Sequence, residues 1–294
     1  MLSPASLLFR YCSEERLRSI CKDKSIRMQR STKIELAEAV VKRIGPEHAW
    51  GLLDELDLGR TTLFLYVLPG PVGAPEADKL GDLLVRQYSY DPFALPPEAA
   101  SALSSGFKAA AAREWGGDIR IYWARRARVT LPRQFHVERE WQDEYAVTEL
   151  TPGDRLVRTW ADAAAASSIS QELFTVLGEF LSPVVFKRAT LEALRAGLPG
   201  SSVETERVQD DSLGFSILEA TKRPEDRSIE DAAGYGSVLA GKPVIALTIY
   251  FSVPDAQQRV GLKITRAGGL LFRSYVRPAV VSYVLSQVRQ ALRI

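Results

Sequence analysis

Hydrophobic positions recur three and four residues apart through the first part of the chain. Leu17, Ile20 and Cys21 fall on one helical face behind Ser13, with Glu14 and Glu15 in the first turn, where carboxylates complement the positive helix end. Ile34, Ala37, Val40, Val41 and Ile44 repeat the spacing, so a second helix is predicted behind Ser31 or Thr32 and ending at Gly45-Pro46. A third short helix is expected within residues 46–56. Residues 61–68 read either as a strand or as a fourth helix.

The pattern then breaks. Residues 69–75, PGPVGAP, suit neither a regular helix nor a central strand, because proline lacks the amide donor and glycine costs entropy. A second proline-rich stretch, residues 91–97, leads into an alanine-rich segment predicted as a helix ending near Gly116-Gly117. Beyond the glycines, residues 118–129 alternate as a strand does, with Ile119, Ile121 and Trp123 on one face and Arg120, Tyr122 and Ala124 on the other. Residues 134–141, 143–150 and 156–160 extend this into an antiparallel meander, with Thr151-Pro152-Gly153-Asp154 as a turn. Helices are predicted over 168–180 and 183–196. Strands follow over 202–209, 214–221, 243–253 and 259–265, and the turn Arg266-Ala267-Gly268-Gly269 leads into 270–275. Pro278 opens a closing helix that runs to about Leu292. The expected fold class is α+β: a helical head over residues 1–68, a linker and helix over 69–117, and a β-meander body over 118–294. Two successive meander-plus-helix units point to a pseudo-duplicated body.

Composition narrows the function classes. With 294 residues, 46% of them hydrophobic and 25% charged, the chain is an ordinary globular protein rather than a disordered or fibrous one. No stretch approaches the ~20 consecutive apolar residues of a membrane helix, and Arg10 interrupts the apolar start, so an intracellular protein is expected. Cys12 and Cys21 read as reduced thiols. Two histidines, His48 and His136, leave little material for a catalytic triad or a zinc site, and no cofactor or metal is expected. Gly236 to Lys242, GSVLAGK, imitates a phosphate-binding loop for seven positions. Pro243 then stands where a magnesium-binding hydroxyl is required, and a strand follows in place of a helix. Glu138, Glu140, Asp143 and Glu144 offer carboxylates for a metal-dependent nuclease, but a solvated strand face accounts for them more simply.

Charge distribution changes the picture more than the net charge of +2 does. Residues 256–294 contain seven basic side chains and no acidic one, whereas residues 204–231 carry nine acidic against four basic. If Ile245, Leu247, Ile249, Phe251, Val260, Leu262, Ile264 and Phe272 are buried, the opposite strand face presents Thr248, Tyr250, Arg259, Lys263, Arg273 and Tyr275. Arg120, Tyr122, Arg126 and Arg128 form a comparable face in the first meander, with Arg125, Arg133 and Lys108 nearby. Guanidinium groups bind phosphate and release counterions, and tyrosines stack or donate a hydroxyl.

Two resemblances bear on the same point. Residues 17–44, LRSICKDKSIRMQRSTKIELAEAVVKRI, resemble the SAP-type helix-extended-helix motif, whose layout Ile26, Ser31, Lys33, Leu36 and Val40 match. That resemblance implies backbone contacts to DNA from Arg27, Arg30, Thr32 and Lys33. The order of elements, a helical head followed by meander units and a final hairpin plus helix, resembles the centromere protein N/Chl4 family, which implies a chromatin or DNA-binding scaffold whose head and body form a basic groove and whose C-terminal β unit pairs with a related partner. The expectation is a non-enzymatic, chromosome-associated protein that holds double-stranded DNA by its phosphates. One alternative is a scaffold docking an acidic protein, with the strand over 243–253 as an edge extended by the partner. The other is a nuclease using Glu138 or Asp143.

Overall fold

The computed structural model describes residues 4–12, 14–27, 30–46, 48, 49, 52, 62–71, 106–115, 117–132, 137–210, 216–223, 225–232, 234, 235, 239, 241–254, 259–274, 276 and 278–294. In chain order the first elements are α1 (Pro4–Tyr11), α2 (Glu14–Asp23), α3 (Lys33–Ile44), β1 (Thr62–Val67), β2 (Lys108–Trp115), β3 (Asp118–Pro132), β4 (Val137–Leu150) and β5 (Leu156–Trp160). They are followed by α4 (Ala163–Leu177), β6 (Ser182–Pro183), α5 (Arg188–Ala196), β7 (Ser202–Asp210), β8 (Ser216–Thr221), β9 (Val244–Ser252), β10 (Arg259–Thr265), β11 (Gly269–Phe272) and α6 (Pro278–Leu292). Each strand pairing described within the two units is antiparallel, and the fold is α+β. The chain divides into two compact units, Met1–Arg60 with Leu68–Leu181 and Thr61–Val67 with Ser182–Ile294.

In the first unit the strands run β2-β3-β4-β5, a plain meander. Its helices begin where the capping chemistry places them. Thr32 caps α3, and the Glu35 side chain returns to the Thr32 amide to complete a capping box. Leu7, Leu8, Leu17, Ile20, Leu36 and Val40 from the three helices join Tyr122, Ala124 and Val147 of the sheet in a single buried cluster. The sheet is covered on both sides, since Ile119, Ile121 and Trp123 on the alternate face are buried as well. There the Trp123 indole N–H donates to the Thr148 hydroxyl at 3.0 Å, which lies 3.2 Å from the Thr159 hydroxyl, so the polar atoms of this face satisfy one another.

Three sequence expectations fail in this unit. The alanine-rich segment before Gly116 is strand β2, because its pairing with β3 from Lys108↔Ala124 to Trp115↔Asp118 overrides alanine's helical preference. Residues 134–141 and 143–150 do not form two strands; Val137–Leu150 pairs with β3 without a break. The helix expected over 168–180 starts earlier, at Ala163 behind the Asp162 cap, and ends at Gly178, which takes the left-handed conformation (φ 68).

In the second unit the order is β1-β11-β10-β9-β7-β8, with β6 also on β1. Of the two readings left open for residues 61–68, the strand is the one adopted: Thr62 to Phe64 pair with Leu271 to Gly269. Gly268 permits this, since a Cβ there would lie 2.8 Å from the Leu65 carbonyl oxygen and 2.9 Å from that of Val184. The helix expected over 183–196 begins only at Arg188, because Val184 and Phe186 donate their amides to Leu65 and Arg266. Residues 243–253 are not an edge. Strand β9 is paired on one side with β10 and on the other with β7, and β8 is the terminal strand of this order. The strand orders of the two units differ, and the expected pseudo-duplication is not seen. No helix among the described residues is long and apolar enough to cross a membrane.

Candidate nucleic-acid interface

Between Arg16 and Lys33 the chain carries seven basic residues and one acidic one, Asp23. The turn out of α2 is set by a left-handed residue, Ser25 (φ 56), with Ser25 N–H donating to the Lys22 carbonyl and Ile26 N–H to that of Cys21. This is the Schellman pattern, and it tucks Ile26 against the helical core. Arg18 fixes the other end of the loop, donating to Glu14 at 2.7 Å and to the Ser31 carbonyl at 3.1 Å. Lys22, Lys24, Arg27 and Arg30 are left on the surface, and among the described residues none of the four has a carboxylate partner.

The other two residues implied by the SAP resemblance are engaged elsewhere. The Thr32 amide and hydroxyl both donate to Glu35 Oε2, at 2.7 and 2.9 Å. The Thr32 backbone hydrogen bond, more than its side-chain one, holds the Glu35 carboxyl below its usual pKa, so a carboxylate already occupies the start of α3. Lys33 places its ammonium 5.2 Å from the centre of the Phe9 ring, and burial lowers its pKa. Thr32 and Lys33 brace the head, whereas Arg27 and Arg30 face solvent.

The described cations of the face expected in the first meander are spoken for. Register places Glu149 of β4 opposite Arg120, and their side chains meet at 2.8 Å. Glu144 likewise stands opposite Arg125 and is bonded to it at 2.7 Å, with the Arg125 guanidinium 4.7 Å from the centre of the Phe107 ring. Lys108 reaches Glu172 of α4 at 3.3 Å. Tyr122 is 0% exposed, a core residue beneath the helices and not a stacking surface. The side chains of Arg126, Arg128, Glu138, Glu140 and Asp143 lie outside the described residues, as do Arg133, His136 and Tyr275 altogether.

In the second unit Tyr250, Arg259 and Arg273 of the predicted face come together, but with an acidic member. Tyr250 lies against Gly261, where a Cβ would approach its ring to 2.8 Å. The Arg259 guanidinium sits 5.4 Å from the ring centre and donates to the Ser202 hydroxyl at 3.1 Å. Arg273 donates to the Tyr250 hydroxyl at 3.0 Å and to Glu204 at 2.5 Å. Lys263 lies two pairs beyond Gly261 along β10, opposite Thr248, which is buried. Glu204 belongs to the acidic stretch over 204–231 and offsets one of the three cations.

A further cluster was not foreseen. Arg188, at the start of α5, donates to Glu206 at 2.7 Å and to the Leu239 and Lys242 carbonyls at 3.1 Å each. The Tyr235 hydroxyl donates to the other Glu206 oxygen at 2.5 Å, and Arg195 grips Glu230 through both oxygens, at 2.5 and 2.8 Å. The described part of GSVLAGK thus supplies carbonyl acceptors to Arg188 and runs into β9. Burial first, and Glu206 second, push the Tyr235 hydroxyl up to about 12. Because this folded value is above the ordinary 10, the stabilisation is complete below pH 10 and is lost as pH rises through about 12. Ultraviolet titration of tyrosinate in the wild-type and Tyr235→Phe proteins checks this: one tyrosine titrating near pH 12 should be absent from the variant.

No protein-family model matches this chain, and no curated protein matches it significantly.

Proposed function

We propose that this protein is a non-enzymatic, chromosome-associated binder of duplex DNA that takes hold of phosphates through the loop between α2 and α3. The observation that carries this reading is the set of four exposed cations, Lys22, Lys24, Arg27 and Arg30, which have no carboxylate partner among the described residues and lie within nine residues spanning the end of α2 and the loop after it, a loop pinned at both ends. A pinned loop loses little entropy on binding, and lysine and arginine neutralise phosphate with release of counterions. Such contacts position a protein on DNA without reading bases, so sequence-independent binding is expected. The strand faces contribute less, because Arg120, Arg125 and Arg273 are already committed to glutamates.

Fluorescence anisotropy with a labelled duplex of arbitrary sequence separates these surfaces. At about 50 mM salt the wild type should bind, and Arg27→Ala with Arg30→Ala should weaken it about tenfold or more. The triple variant Arg259→Ala, Lys263→Ala, Arg273→Ala should bind within about twofold of wild type. The reverse ranking of the two variants contradicts the proposal.

A further inference from the structure

The Arg188 cluster frames a cavity of about 260 Å³ in the second unit, lined by α5 residues Arg188, Leu191, Glu192 and Arg195 with Val244 and Leu247 of β9 beneath. Glu206, Glu230, Tyr235 and Gly241 also line it. The volume falls just under the usual range of about 300–1,000 Å³ for small-molecule pockets, so a ligand here is smaller than drug-sized. The frame is expensive to build. Glu206 is 1% exposed, and burying a carboxylate with its partner seldom adds net stability.

The charge inventory decides what fits. Among the described lining residues two guanidiniums face three carboxylates, which leaves one net negative charge on that part of the lining. Most of the guanidinium donors are already committed: Arg188 is held by Glu206 and two carbonyls, and Arg195 by both oxygens of Glu230, with the buried Arg195 Nε left without a partner among the described residues. Glu192 is exposed, and among the described residues it has no cationic partner. The floor of Leu191, Val244 and Leu247 is apolar.

From this arrangement we infer that the cavity is a binding site for a small organic cation, an amine or guanidine with a short aliphatic body. Its charge sits beside Glu192 and its carbon chain lies over Leu191 and Leu247. The mimicry of a phosphate-binding loop at Gly241 is thereby turned around: the surroundings of that glycine repel phosphate. This inference does not depend on the DNA binding proposed for the other unit.

Calorimetric titration of the full chain with butylammonium, butylguanidinium, butyrate and butanol tests it. The two cations should bind saturably, with half-saturation on the order of a few millimolar, and butyrate should not bind. Glu192→Gln should weaken cation binding about threefold or more and Glu192→Lys should abolish it, both with unchanged melting temperature because the side chain is exposed. Glu38→Gln, an exposed carboxylate on α3, should leave binding unaltered. Binding of butyrate in preference to the cations, absence of saturable cation binding, or equal losses in Glu38→Gln and Glu192→Gln would each overturn the assignment.

Discussion

Arg188→Met is expected to destabilise the second unit by about 2–4 kcal/mol, measured by urea unfolding. Removing one partner of a buried ion pair typically costs about 3–5 kcal/mol, because the surviving charge is stranded. The lower range applies here since the Arg188 side chain is 28% exposed while Glu206 is 1% exposed, and water reaches one partner only. The loss has a second component, as the Leu239 and Lys242 carbonyls also lose their donor. Adding Glu206→Gln to Arg188→Met removes the stranded charge, so the double variant should be more stable than the sum of the two single losses implies. Strict additivity would show that the pair is not coupled.

The second large effect concerns the loop between α2 and α3. Reversing Arg27 and Arg30 to glutamate should lower DNA affinity roughly a hundredfold or more at about 50 mM salt, since each neutralised phosphate is worth about one factor of ten there. Both side chains are exposed and neither contributes to the helical core, so the variant should fold as the wild type does. Unaltered circular dichroism with lost anisotropy is the expected combination. Full affinity in the reversed protein would remove the loop from the interface.

These expectations rest on features of unequal visibility in the sequence. Strands β9 and β10 were legible because Leu247, Ile249, Phe251, Val260, Leu262 and Ile264 alternate with polar neighbours, and the Gly268-Gly269 turn sits where the hairpin needs it. The head was legible through Thr32, Gly45 and the helical spacing between them. Strand β2 was not, because four alanines favour a helix and only pairing with a distant partner makes them a strand.

The candidate surfaces turned on register and on coverage. Arg120 and Arg125 meet Glu149 and Glu144 because β4 continues through Gln142, and a predicted break there concealed both pairs. Alternation identified the two faces of β3, yet it carries no information about whether one face or both are covered. Tyr122, on the face that alternation assigns to the surface, lies in the core because both faces are covered. Glu206, Glu230 and Tyr235 are brought to Arg188 and Arg195 by chain folding alone, and no short motif announces them.

The most direct test of phosphate binding by this loop is the slope of log association constant against log salt concentration for an arbitrary duplex. Four cations contacting phosphates predict a slope of about −3 to −4, which amounts to a loss on the order of a hundredfold between 50 and 200 mM salt. Arg27→Ala with Arg30→Ala should make that slope shallower by about two. A complex whose affinity is insensitive to salt, or no complex at the lowest salt, would contradict the account.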